Sequence, residues 1–256
     1  MKRRIGLAAL TCMELAPHEL VTVAAQAGYD CVGLRLIPVS GQILPAFDLR
    51  EIQRRLADTG LKVLDVEVFR VDALTRVADF EPVLEQAARL GATEILAHGA
   101  DPDEGRLRDA FLELGNRASR YGLHVNVEPM PWVEVSTVAK AKRVLEGNEN
   151  AALLVDAIHF YRADNTFADL QGARMRYLQF CDAHPERPTE VGELIRQARG
   201  DRLFPGEGAL DLRGLLRATP EGLPLSLEVP VAQKLEPLER ARRALQATEK
   251  LLGSWR

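Results

Sequence analysis

Short apolar runs alternate with amphipathic stretches along the whole chain. The runs at 5–10 (IGLAAL), 31–36 (CVGLRL), 63–69 (VLDVEVF), 94–98 (EILAH), 123–128 (LHVNVE), 152–156 (ALLVD), 175–181 (MRYLQFC) and 225–229 (LSLEV) predict strands. Several are nearly apolar on both faces, as strands of a parallel sheet covered by helices are. Between them, Asp48 to Gly60 opens on a capping Asp, shows an apolar face through Leu49, Ile52 and Leu56, and closes on Gly. Asp79 to Gly91 repeats that pattern with Val83, Leu84, Ala87 and Leu90. Helices are also predicted over Glu104 to Gly122, Val133 to Gly147 and Lys234 to Leu252.

The strand starts recur at a mean of about 31 residues, the size of one strand-and-crossover unit. Eight such units predict an α/β fold, a (β/α)8 TIM barrel, as a single domain over residues 1–256. An open doubly wound sheet is the alternative. Neither GxGxxG nor GxxxxGK(S/T) follows any strand, so the usual nucleotide signatures are missing. One gap is irregular: 50 residues separate the starts at 175 and 225. It holds a polar loop (Asp182 to Thr189), a helix over about Glu190 to Arg199, and Phe204-Pro-Gly-Glu-Gly208. At the C-terminal end of a barrel strand, a long connection of this kind reads as functional.

Composition narrows the function. Lys+Arg 33 against Asp+Glu 37 gives a net charge of −4, so no global positive field favours nucleic acid. The longest stretch free of charged residues, Leu36 to Phe47, contains Pro38, Gly41 and Pro45 and is too short for a spanning helix, which needs about 20 apolar residues. No membrane partner is expected. Three cysteines (Cys12, Cys31, Cys181) are too few for a disulfide scaffold and point to a cytoplasmic setting. The opening MKRR-IGLAALTCM resembles an export signal, but Glu14 follows at once without a small-x-small cleavage site. A first core strand is the better reading.

In a barrel the chemistry gathers at the C-terminal strand ends. Those ends here are Glu67, His98, Glu128, Asp156, Gln179 with Asp182, and Glu228. Four come from the last four strands, each after an apolar run: VNV, LLV, MRYL and LSL. Three carboxylates side by side would raise one another's pKa unless a cation balances them. Three carboxylates and one amide oxygen form a hard, all-oxygen set suited to Mg²⁺ or Mn²⁺ more than to Zn²⁺ or Co²⁺. The rival reading is that each acid caps the helix that follows, Asp156 above all.

The segments VNVEPMPW (125–132), LLVDAIHFYR (153–162), YLQFCDA (177–183), PGEGALDLRGLL (205–216) and LSLEVP (225–230) resemble the xylose isomerase-like TIM-barrel superfamily. That group includes sugar phosphate isomerases and epimerases, inosose dehydratases and dehydroshikimate dehydratases. The resemblance implies one divalent metal held by Glu128, Asp156, Gln179 and Glu228. The third ligand in sugar epimerases is usually His; the dehydroshikimate dehydratase branch includes Gln there. His159 matches the family's D-x-x-H arrangement and would move a proton or bind a substrate oxygen.

Around this centre, Arg187 and Arg162 are candidates to clamp a carboxylate or phosphate. Glu207 sits on a glycine turn that lets backbone approach the pocket; a plain loop before an Asp211 helix cap is its other reading. Glu67 would contact substrate or pair with Arg35, Trp132 would wall the pocket or pack, and His98 would line the mouth. His124 reads as core, and the cysteines as buried small residues, with Cys181 facing the pocket as an option.

The leading expectation is a metal-dependent isomerase or epimerase acting through an enediolate on a small polyhydroxylated carbonyl substrate, a sugar or sugar phosphate. Glu128 and Glu228 approach from different strands, so one would remove a proton and the other return it. The alternative is a dehydratase, a lyase of dehydroshikimate or inosose type, in which His159 handles the proton and hydroxide leaves. A repair endonuclease of the same superfamily would need a His-rich multi-zinc site, and the chain has five His. A non-catalytic sugar-binding barrel is the last reading. The partner is thus a polyol, keto-sugar or keto-acid, and the resemblance implies a homo-oligomer.

Overall fold

The computed structural model describes residues 3–39 and 44–253. Its eight strands are β1 (Ile5–Leu7), β2 (Cys31–Arg35), β3 (Lys62–Val71), β4 (Glu94–Gly99), β5 (His124–Val127), β6 (Ala151–Asp156), β7 (Met175–Phe180) and β8 (Leu225–Leu227). Each pairs in parallel with the next, and β8 pairs with β1, closing the barrel that the spacing predicts. The helices are α1 (Pro17–Ala27), α2 (Leu49–Thr59), α3 (Glu81–Arg89), α4 (Glu104–Ser119), α5 (Val138–Val144), α6 (Ala157–Arg162), α7 (Val191–Gly200), α8 (Leu212–Ala218) and α9 (Pro237–Gly253). Among the described residues, no helix is long and apolar enough to cross a membrane.

Strand periodicity sorts the side chains into two layers. Ile95, Ala97, Leu153, Val155 and Leu178 face outward into a core shared with helical residues such as Leu107 and Phe111. Cys31, Leu64, Leu96, Leu154 and Tyr177 form a smaller cluster inside the barrel. Two residues beyond Leu96, Leu154 and Tyr177 come His98, Asp156 and Gln179. The face that fills the interior therefore turns polar at the mouth.

Two predicted elements are shorter than expected. The first strand ends at Leu7, and Ala9–Cys12 forms one tight helical turn. Thr11 holds that turn, because its hydroxyl donates to Leu227 O (2.7 Å) and accepts from Val229 N (2.9 Å). The helix expected over 133–147 begins only at Val138, where Thr137 accepts from Lys140 N. Before it, Val135 N donates to Gly99 O and Met130 N to Val135 O, so this stretch is a loop laid against β4.

The irregular connection after β7 is a closed loop. Asp182 and Leu203 exchange backbone hydrogen bonds at its base, each 2.9 Å. The Asp182 carboxylate accepts from Ala183 N, Leu210 N and Gly206 N at 2.9–3.0 Å, stapling the Pro-Gly-Glu-Gly turn to the end of β7. A Cβ at Gly208 would run into Ala183 O and the Asp182 carboxylate, which explains that glycine.

Candidate active site

A cavity of about 550 Å³ opens at the C-terminal end of the barrel. Glu67, His98, Glu128, Trp132, His159 and Glu228 all line it, joined by Arg35, Arg70, Arg199 and Arg202. Asp156 and Gln179 are fully buried beside it. Asp156 is both things its position allowed. Its Oδ1 caps α6 by accepting from Ile158 N (2.8 Å) and His159 N (3.3 Å), while Oδ2 accepts from Arg202 Nη1 (2.6 Å).

Arg202 is the residue that sequence reasoning missed. Its side chain is 1% exposed, with Nη1 on Asp156 and Nη2 on Glu228 Oε2 (2.6 Å). Nε donates to Ala198 O, and Nη1 also reaches Cys181 Sγ at 3.4 Å. Glu228 Oε1 accepts from Gln179 Nε2 (2.9 Å), so both oxygens of Glu228 are engaged. Glu128 is held differently: its near polar neighbour is His159 Nε2 at 3.6 Å. Trp132 meets the His159 ring edge-on, with centroids 4.9 Å apart.

Burial, then the charges of Asp156 and Glu228, drive Glu128 well above the usual carboxylate range. Burial also raises Glu228, to about 8, with Asp156 adding to it and Arg202 opposing. For Asp156 burial acts in the same direction, but Arg202 and His159 outweigh it and keep the acid ionised. Burial brings His159 down to about 4, so its imidazole is neutral near pH 7.

These values bear on a metal. With all three acids ionised, one guanidinium would leave two negative charges, which one divalent cation balances; without it, Glu128 and Glu228 are held toward their protonated forms. Gln179 Oε1 and His159 Nδ1 are buried with no hydrogen-bond partner. Donor atoms of Glu128, Asp156 and His159 lie within 4.8 Å of one another. The donor set fits a divalent ion; His159 belongs to this group and Glu228, held by Arg202 and Gln179, does not.

Other candidates fall elsewhere. Arg187 is exposed and paired with Asp164 outside the cavity. Arg162 is buried, but its guanidinium is used by His184 O (2.7 Å) and Gln197 Oε1 (3.3 Å). Glu207 is exposed on its turn, the plain-loop reading. Glu67 pairs with Arg35 at 2.6 Å while lining the cavity, so it fits both of its readings. His124, expected in the core, is half-buried at the foot of β5. All three cysteines are buried, as expected.

A family model described as "Xylose isomerase-like TIM barrel" matches residues 21–251. A 3-dehydroshikimate dehydratase of Pseudomonas aeruginosa is 30% identical over 253 residues, 90% of this chain but 38% of that protein. The chain thus spans about two fifths of the length of that dehydratase. An inosose isomerase of Halalkalibacterium halodurans is 25% identical over 208 residues, 74% of this chain and 73% of that one. Among solved structures, the IOLI protein with a bound zinc atom superposes with a TM-score of 0.82 at 19% identity, covering 99% of both chains. With the closed eight-stranded barrel and the family model in agreement, this chain belongs to the xylose isomerase-like TIM-barrel family.

Proposed function

We propose that the protein is a divalent-metal-dependent lyase that removes water from a small polyhydroxylated carbonyl compound. The observation that carries this reading is the inequality of the two glutamates. Arg202 and Gln179 occupy both oxygens of Glu228, whereas among the described residues the Glu128 carboxylate makes no hydrogen bond and its near polar contact is neutral His159 at 3.6 Å. An epimerase working from two sides needs a carboxyl group on each face that is free to exchange a proton; an elimination from one face needs one. The Pseudomonas aeruginosa relative carries a dehydratase name, in line with this reading.

Glu128, Asp156, Gln179 and Glu228, with His159 beside them, would hold the metal. Such an ion supplies positive charge against the negative charge that grows on a substrate carbonyl oxygen. Glu128, which the charge of a bound ion would keep ionised, takes the proton from the carbon next to the carbonyl. The C–H electron pair forms the new double bond as the neighbouring C–O bond breaks. His159, 3.6 Å from Glu128, relays the proton to the departing hydroxyl, which leaves as water. Trp132 and Met130 wall this end of the cavity and limit the entry of bulk water.

The second reading, an isomerase or epimerase, is favoured by Glu228 being pushed up to about 8. A protonated Glu228 on β8 could return the proton that Glu128 removes from the β5 side. The inosose isomerase relative is in line with it. Turnover of polyhydroxylated ketones and keto acids, 3-dehydroshikimate included, separates the two by mass. Loss of one water with a new conjugated absorbance supports the lyase; a product of unchanged mass supports the isomerase. Glu128→Gln should cost at least about a hundredfold in kcat/KM. Full turnover in excess EDTA would sink both.

A further inference from the structure

We propose that the outer end of the cavity recognises one anionic group of the substrate, a carboxylate or a phosphate, through Arg199 with Arg70 and His98 beside it. This rests on the reading that the cavity takes a small polyhydroxylated carbonyl compound. Three elements converge here. Arg70 on β3 and His98 on β4 are register partners, and Arg199 comes from the last turn of α7. All three line the cavity whose inner end holds Glu128, His159 and Glu228.

The balance of charge differs between the two ends. Of the carboxylates that line the cavity, Glu67 is paired with Arg35, Glu228 with Arg202, and Glu128 lies beside His159. At the outer end Arg70 donates to Asp72 at 3.1 Å, an exposed contact. Arg199 makes no ion pair or side-chain hydrogen bond with any described residue. His98 is 7% exposed, and its buried Nδ1 has no partner. Burial, then Arg70 and Arg199, bring this imidazole down to about 4, so it is neutral and both guanidiniums are within electrostatic reach of it.

Arg199 and Arg70 are exposed at this end of the cavity, and the His98 imidazole beside them is buried with Nδ1 unpartnered, so three donors are left for a ligand to use. An anionic oxygen group accepts charge-assisted hydrogen bonds from such donors, which a neutral hydroxyl matches less well. The volume is within the range of small-ligand sites. A ligand whose reacting carbon lies at Glu128 could therefore extend its other end to Arg199. These residues would decide between acidic and neutral substrates, the task expected of Arg187 and Arg162 in the sequence.

Three unreactive ring probes test this on the Mn²⁺-loaded protein by calorimetry: quinate, myo-inositol and inositol monophosphate. None carries the carbonyl needed for turnover, so binding is read independently of catalysis. At least one anionic probe should bind about tenfold or more tighter than myo-inositol, with the preference shrinking as salt rises. Arg199→Gln should weaken that probe about tenfold to a hundredfold, leave myo-inositol binding and metal content unchanged, and be partly rescued by Arg199→Lys. Preference for quinate identifies a carboxylate, and preference for the monophosphate a phosphate; either supports the site. Equal affinities, no binding of any probe, or a preference that survives Arg199→Gln would overturn it. Preferential binding without turnover of any keto compound would leave the anion site standing and remove the lyase reading instead.

Discussion

A guanidinium that is 1% exposed has left water, and Arg202 does so by dividing its donors between Asp156 and Glu228. Removing one partner from such a buried set costs about 3–5 kcal/mol, because the remaining charges lose their compensation. Arg202→Met should therefore lower the melting temperature of the metal-free protein steeply. Mn²⁺ should raise the melting temperature of this variant by more than that of the wild type, since it supplies charge that the variant lacks. Equal metal-induced shifts in thermal melts would show that Arg202 does not balance the cluster. The sequence held only a faint mark of this residue. Arg202 follows Gly200-Asp201 and precedes Leu203-Phe204-Pro205, with no periodicity to set its direction. Counting three buried acids asked for a cation, and a metal was named for the role that an arginine partly fills. Arg187 sits in the polar loop after Gln179, but sequence does not show that Asp164 lies beside it.

Elements were far more legible than their contacts. Each strand was a compact apolar run, and burial on both faces is what such a run reports. The strand-end acids could be read because barrel topology converts chain order into proximity. The helix predicted over 133–147 starts late because Val135 N is committed to Gly99 O on β4 and Thr137 caps the helix at Val138. The β7–α8 connection is where the element scale meets the site. Asp182 staples its turn, and the turn fixes the strand-like residues that carry Arg202 into the barrel. Gly208→Ala would push the turn off Ala183 O and the Asp182 carboxylate. Such overpacking costs about 1–3 kcal/mol, or roughly 2–4 °C per kcal/mol for a chain of this size. The variant should also lose activity beyond what its melting temperature explains, because Arg202 moves with the turn. A stable variant with full activity would separate the staple from the site.

At the scale of the whole molecule, the barrel interior carries a pH-dependent cost. Asp65 is fully enclosed, with Tyr177 Oη donating to its Oδ2 at 2.8 Å. Burial, then the charge of Glu67, push its pKa up to about 8. In the unfolded chain it titrates near an ordinary 3.9. Between these values the folded protein keeps a proton that the unfolded chain has released, so stability falls as pH rises from about 4 to about 8. Asp65→Asn cannot ionise, so the difference in melting temperature between variant and wild type should move in the variant's favour from pH 5 to pH 8. A difference independent of pH would show that Asp65 is charged inside the barrel.

The closed base of the connection between Asp182 and Leu203 has one more consequence. Inside it lies α7 with Arg199, and Arg202 stands at its exit, so the cation at the mouth and the cation at the acid cluster arrive on one short stretch of chain. Because its ends already meet, this stretch can change length at little entropic cost, about 0.6 kcal/mol per doubling of a flexible loop. The barrel can then act as a fixed chassis. Exchanging residues 183–201 between relatives would replace α7 and its part of the mouth while Arg202, the strands and their carboxylates stay as they are.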